Sequence, residues 1–190
     1  WQDDYRKAPE LELLVNLRLE NRGDRHRFGL HAVPPAELAA NLELRGDLIG
    51  ASLDAPERWR GRLFTQIDRA DIAAWRAWLP FPEEIRLNRG TGALRMWASV
   101  EGLEMTKLTA DMRLRHVKTQ LATDLPELSL MRLRGRVGWQ TIGHGAGTGF
   151  ELFGRSLSAV LPGARESQPV DFSLRMIPDH GDKPARGTFS

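Results

Sequence analysis

The side chains best suited to moving protons or holding a metal are five histidines, His26, His31, His116, His144 and His180. None stands two or four positions from another, so neither a strand nor a helix presents a pair of them to one ion. His26 and His31 are five apart, which places them on opposite faces of an extended chain. All five read as solvent-facing or loop histidines. Glu83-Glu84 and Asp3-Asp4 are adjacent; neighbouring side chains of a strand diverge, so neither makes an acid–base couple. The serines fit no nucleophile elbow, because the nearest stretch, Gly154-Arg155-Ser156-Leu157-Ser158, ends in serine where glycine is required. Asp179-His180-Gly181-Asp182 gathers polar groups in a tail where nothing would desolvate them. No catalytic set converges, and neither an enzyme nor a metal or cofactor site is expected.

Two features bear on anion binding. Gly143–Gly149 is rich in glycine, but counting from Gly145 and Gly147 the third glycine of a dinucleotide loop should fall at Phe150. It also lies between two strands with no helix to offer a positive N-terminus, and reads as a hairpin loop. Arg132-Leu133-Arg134-Gly135-Arg136 and Arg58-Trp59-Arg60-Gly61-Arg62 each place three arginines on one strand face. Such a ladder can contact phosphate, lipid headgroups included, or stand solvated beside neighbouring acids, the reading favoured here.

Composition narrows the classes further. The 190 residues carry 27 Lys+Arg against 25 Asp+Glu, a formal charge of +2. The bases, almost all arginine, are interleaved with acids along the chain, whereas a nucleic-acid surface would concentrate them. No nucleic-acid partner is expected. Absence of cysteine removes disulfides and thiolate chemistry without choosing a compartment. No run approaches the roughly 18 apolar residues of a membrane span. The chain opens at Trp1 without an initiator methionine, so it reads as a piece of something longer whose targeting and anchoring signals lie outside it.

The elements that would position any site are strands. Period-two alternation places Leu11, Leu13, Val15, Leu17 and Leu19 on one face, and resumes with Phe28, Leu30 and Ala32, with Leu42 and Leu44, and with Leu63, Thr65 and Ile67. A turn is expected at Arg89-Gly90-Thr91-Gly92. Beyond it come Leu94, Met96, Ala98 and Val100, then Leu108, Ala110, Met112 and Leu114. Leu128–Trp139 has a parity break near Leu130-Met131 that suggests a bulge. Phe150–Val160 follows, and Val170, Phe172, Leu174 and Met176 alternate strictly. An Arg-Gly pair recurs at nearly even spacing, at Arg45-Gly46, Arg89-Gly90 and Arg134-Gly135, with a further pair at Arg60-Gly61. One helix is expected over about 69–79, N-capped by Asp68, with Ile72, Trp75 and Leu79 on one stripe and Pro80 and Pro82 ending it. The expected organisation is one β-rich segment over 1–178 and a polar tail over 179–190.

Many one-sided strands with almost no helix must hide their apolar faces somehow. A closed sandwich or barrel would bury them completely. A strongly curved, open antiparallel sheet would instead offer them to a hydrophobic ligand as a groove. Periodicity does not choose between the two.

Several stretches, in order, resemble the central region of YhdP-type members of the AsmA-like family. They are Trp59-Arg60-Gly61-Arg62-Leu63-Phe64, Asp68-Arg69-Ala70-Asp71-Ile72-Ala73-Ala74-Trp75-Arg76-Ala77-Trp78-Leu79, Arg89-Gly90-Thr91-Gly92-Ala93-Leu94-Arg95-Met96-Trp97, Leu125-Pro126-Glu127-Leu128 and Leu133-Arg134-Gly135-Arg136-Val137-Gly138-Trp139. Phe150-Glu151-Leu152-Phe153-Gly154-Arg155-Ser156-Leu157-Ser158 fits the strand expected next, so the likeness runs from about Leu11 to Met176. The resemblance implies very long proteins of Gram-negative bacteria, anchored in the inner membrane by an N-terminal helix and crossing the periplasm as a β-groove with a hydrophobic interior. It implies bridge-like transfer of phospholipid towards the outer membrane.

Together these lines lead to the expectation of an open hydrophobic β-groove in a periplasmic segment of such a conduit. Its partners would be phospholipid acyl chains and the remaining segments of the full-length protein, with membrane contact only through parts outside this chain. The lining is expected from Leu11 to Leu19, Leu94 to Val100, Leu108 to Leu114 and Val170 to Met176 in the alternating sets above. Ile72, Trp75 and Leu79 would plug an end or lid the opening, or dock on the outside. The same residues would make plain core in a closed sandwich. Two rival functions are a periplasmic scaffold that binds envelope proteins by strand pairing, and a polysaccharide-binding β-sandwich. The latter needs an aromatic platform, for which Trp59, Trp97 and Trp139 are the strand-borne candidates.

Overall fold

Alternating strands joined by short turns pair most readily with their immediate neighbours, and that meander is what the chain forms. The computed structural model describes residues 13–51, 55–77, 86–102, 104–120, 126–143, 148–177 and 186–190. Ten strands, β1 (Leu14–Arg22), β2 (Arg25–Val33), β3 (Asn41–Ile49), β4 (Arg60–Asp71), β5 (Arg86–Glu101), β6 (Glu104–Gln120), β7 (Leu128–Ile142), β8 (Gly149–Val160), β9 (Val170–Ile177) and β10 (Arg186–Phe189), form one antiparallel sheet in sequence order. The two-residue connection Gly23-Asp24 between β1 and β2 uses Gly23 at φ 55°, a conformation glycine adopts without penalty.

Among the described residues β1 pairs only with β2 and β10 only with β9, so the sheet does not close into a barrel. Among the described residues no large side chain is fully buried. A closed sandwich of this size would bury many, so the open alternative is the observed one.

Three expectations from the sequence give way. The turn expected at Arg89–Gly92 is continuous strand, because β5 runs straight through it for 16 residues. The helix expected over about 69–79 is replaced by strand to Asp71 and a 3₁₀ turn over Ala74–Ala77; Leu79 lies outside the described residues. Backbone pairing wins there: the Asp71 N–H donates to Leu38 O and the Ile72 N–H to Gly90 O, both at 2.8 Å. Asp71, not Asp68, then acts as the cap, its Oδ1 accepting from the N–H groups of Ala73 and Ala74 at 3.1 and 3.2 Å. Finally, the stretch expected as a polar tail contains β10, whose Phe189 lies opposite Leu174 and stacks on Phe172 at 6.4 Å.

Bulges that carry a residue at positive φ recur on alternate strands. Register shifts at Ile67/Ala70 on β4, opposite Arg89/Thr91 on β6 and opposite Arg134/Arg136 on β8 coincide with Arg69, His116 and Ser156 at φ near 50°. Each bulge bends its strand and raises the local twist. The parity break at Leu130-Met131 is shared with β6: Leu130 lies opposite Val117 and Leu133 opposite Leu114, so both strands change face together. Gly92 sits opposite the first bulge at φ 157°, where a Cβ would come within 2.1 Å of Arg113 O. Gly92→Ala therefore forces backbone apart, and we expect a loss of about 2–3 kcal/mol in urea unfolding. A change below about 0.5 kcal/mol would show that the close approach of β6 does not need glycine there.

Candidate functional site

Register carries the alternation of each strand across the whole sheet. Leu19, Phe28, Gly46, Leu63, Ala98, Leu108, Trp139, Leu152, Leu174 and Phe189 are successive cross-strand partners from β1 to β10. A second row runs Leu17, Leu30, Leu44, Thr65, Met96, Ala110, Val137, Gly154 and Phe172. Neither contains a charged residue. At about 4.8 Å per strand, the first spans about 43 Å. Aromatic rings fill the places where glycine leaves a gap: a Cβ on Gly46 would strike the Phe28 ring, and one on Gly154 the Phe172 ring.

The proposed lining falls on this one face. Val15, Leu17 and Leu19 stand exposed at the β1 edge, with half-buried Leu13 just before the strand; Leu11 lies outside the described residues. Leu94, Met96, Ala98, Val100, Leu108, Ala110 and Met112 are half-buried across β5 and β6, as are Phe172 and Leu174 on β9; Val170 and Met176 are exposed. Leu19 is 67% and Phe189 76% exposed at the two edges, so the face is least covered where the sheet ends.

One end of the face is covered. Pro34–Ala40 and Ile72–Ala77 fold against it, and Leu38, Ala39, Ile67, Ala70, Ile72, Trp75, Leu114, Val117 and Leu130 form a buried cluster. Leu94, Met96 and Met112 pack against that cluster, while Ala98, Val100, Leu108 and Ala110 are not part of it. Trp75 is 7% exposed and its Nε1–H donates to Leu38 O at 3.1 Å. Ile72 and Trp75 thus sit across the end of the apolar face rather than on the outer surface. The contribution of Leu38 and Ala39 was not visible in the sequence, because they follow Pro34-Pro35 in a segment without strand or helix periodicity.

The opposite face is polar and ion-paired. Arg25 grips Asp47 through Nε and a terminal nitrogen at 2.7 and 2.5 Å, and Arg136 grips Asp111 at 2.5 and 2.8 Å. These hydrogen bonds hold both carboxyls below their usual range. Only Arg60 and Arg62 of the Arg58 ladder lie on this face, since Arg58 belongs to a 3₁₀ turn over Pro56–Arg58. Trp97 lies outward, Trp139 lies in the apolar row, and Trp59 stacks on His26 at 4.7 Å. The three tryptophans therefore do not share a platform.

Sequence reading passed over Glu151, which looks like any outward acid between Phe150 and Leu152. It is buried, accepting from Ser173 Oγ at 2.7 Å, Gln140 Nε2 at 2.7 Å and Arg175 Nε at 3.0 Å. Those bonds, Ser173 first, lower its pKa to about 2. The unfolded chain takes up this proton near pH 4.5, before the folded one does. Its stabilisation is therefore complete above about pH 5 and fades as pH falls towards 2. We expect Glu151→Gln to cost about 2 kcal/mol at pH 7 and the gap from wild type to close between pH 4.5 and 2. A gap that stays constant over that range in denaturant unfolding would contradict this account.

Among the described residues no helix is long and apolar enough to cross a membrane, which says nothing about crossing by strands. A family model described as YhdP protein matches residues 1–188. No curated protein and no solved structure matches the chain.

Proposed function

The chain belongs to the YhdP protein family, and from that premise we propose that it is a periplasmic segment of a conduit that carries phospholipid between the inner and outer membranes. The observation that supports this most is the pair of charge-free rows crossing the sheet on a face that no second layer of the described residues covers. Acyl chains laid on it leave water at a gain of about 0.8 kcal/mol per buried methylene. Headgroups stay at the open side. Successive strands offer nearly equal apolar surface, so a chain moves from one to the next without a deep trap. The mechanism needs no bond-making step, no cofactor and no catalytic residue.

Ile72 and Trp75 bound the conducting surface at one end, leaving the Leu63–Ala98–Leu108–Trp139 part of the first row open. Native mass spectrometry of protein purified without detergent, followed by lipid extraction, tests the reading. Co-purifying phospholipid supports it. A clean apo mass that persists after incubation with phospholipid would sink it. A second reading, strand-pairing with envelope proteins, is favoured by the outer edges of β1 and β10, which no described strand pairs. It predicts binding to extended peptide independent of lipid.

A further inference from the structure

On the face opposite the apolar rows, β5–β7 concentrate positive charge that Asp111 and Glu166 offset only in part. Arg113 lies directly opposite Arg134 and Arg115 opposite Arg132, while Arg95, Asp111 and Arg136 form the adjoining row. All six arginines are exposed. Like charges facing each other across a sheet repel. The two nearby carboxylates are already engaged, Asp111 by Arg136 at 2.5 and 2.8 Å, Glu166 by Arg134 at 2.9 Å and Arg132 at 3.9 Å. Arg95, Arg113 and Arg115 have no carboxylate salt-bridge partner among the described residues.

Opposed Cα atoms on a sheet are about 5 Å apart and residues two apart along a strand about 7 Å. Arg113, Arg115, Arg132 and Arg134 therefore corner an area the size of one or two phosphate groups. We propose that this patch is a binding site for a phosphate-bearing anion, a phosphomonoester or phosphodiester, held by paired guanidinium forks. Every corner is arginine, whose planar donors match phosphate oxygens two at a time. Ser158 Oγ accepts from Arg134 Nε at 2.9 Å and donates to Glu166 at 2.9 Å, which fixes one corner in place. A bound anion would relieve the repulsion that the register imposes. The site is independent of lipid conduction on the other face.

The chemistry is shared by soluble phosphoesters and by lipid headgroups, and two probes separate them. Calorimetric titration with inorganic pyrophosphate reads the first, and co-sedimentation with phosphatidylglycerol vesicles the second. Arg113→Gln/Arg115→Gln should weaken whichever binds by about tenfold or more. Arg113→Lys/Arg115→Lys keeps the charge, loses the forks and should weaken it severalfold. Arg60→Gln/Arg62→Gln removes the same charge from the outer face of β4 and should leave binding unchanged. Pyrophosphate binding alone assigns the site to a soluble phosphoester, and vesicle binding alone to a headgroup surface. The proposal is overturned if neither probe binds, or if the β4 variant loses as much as the Arg113/Arg115 variant, which would reduce the patch to net charge.

Discussion

We expect Leu108→Glu to leave the sheet intact while lowering the phospholipid recovered per protein by more than about tenfold. Leu108 lies between Ala98 and Trp139 in the first apolar row, half-buried and apart from the buried cluster. On the proposed conduit a carboxylate there would meet water when the face is empty and acyl chains when it is filled. An ion among hydrocarbon costs several kcal/mol, and about 1.4 kcal/mol already makes a tenfold change. Thr109→Glu, one residue along and on the other face, is the control and should retain lipid. Met112 is the poorer site for this test, because it packs against the buried cluster and a charge there also disturbs the fold. Lipid retained in Leu108→Glu with unchanged circular dichroism would contradict the conduit.

The second large effect is on stability. Trp75→Ala should cost about 3–5 kcal/mol, the range for removing a buried aromatic side chain. Trp75 is the largest side chain of the cluster and its indole ties the 3₁₀ turn to the Pro34–Ala40 segment through Leu38 O. Without it Ile72 and Leu114 lose their cover, and apolar surface is exposed at the end of the sheet. Denaturant unfolding measures the loss, and dye binding to the exposed surface should rise with it. A cost under about 1 kcal/mol would mean that the turn merely rests on the sheet.

The strands and the apolar face were legible because period two survives in each segment separately, as in Leu94 to Val100 and Val170 to Met176. Their joining into continuous rows was not, since register depends on turns and bulges that the alternation does not encode. Arg89–Gly92 shows the difficulty: two glycines and a threonine have turn composition, yet the strand continues, with Gly92 pairing Ala70 on β4 and lying so close to the β6 backbone that a Cβ would strike Arg113 O. The helix reading failed for a related reason. Ile72 and Trp75 have helical spacing, but the N–H groups of Asp71 and Ile72 are committed to Leu38 and Gly90 across the chain. β10 was missed because four residues, Arg186–Phe189, are too few to show alternation. The family resemblance rested on short motifs of this same scaffold, and the match over residues 1–188 bears it out.

Photo-crosslinking in living cells tests the central claim most directly, with a benzophenone amino acid placed in turn at Ala98, Ser99, Leu108 and Thr109. Phospholipid adducts at Ala98 and Leu108, and none at Ser99 and Thr109, are the result expected from lipid moving along one face of the sheet. Equal adducts at all four positions, or adducts to protein alone, would contradict it.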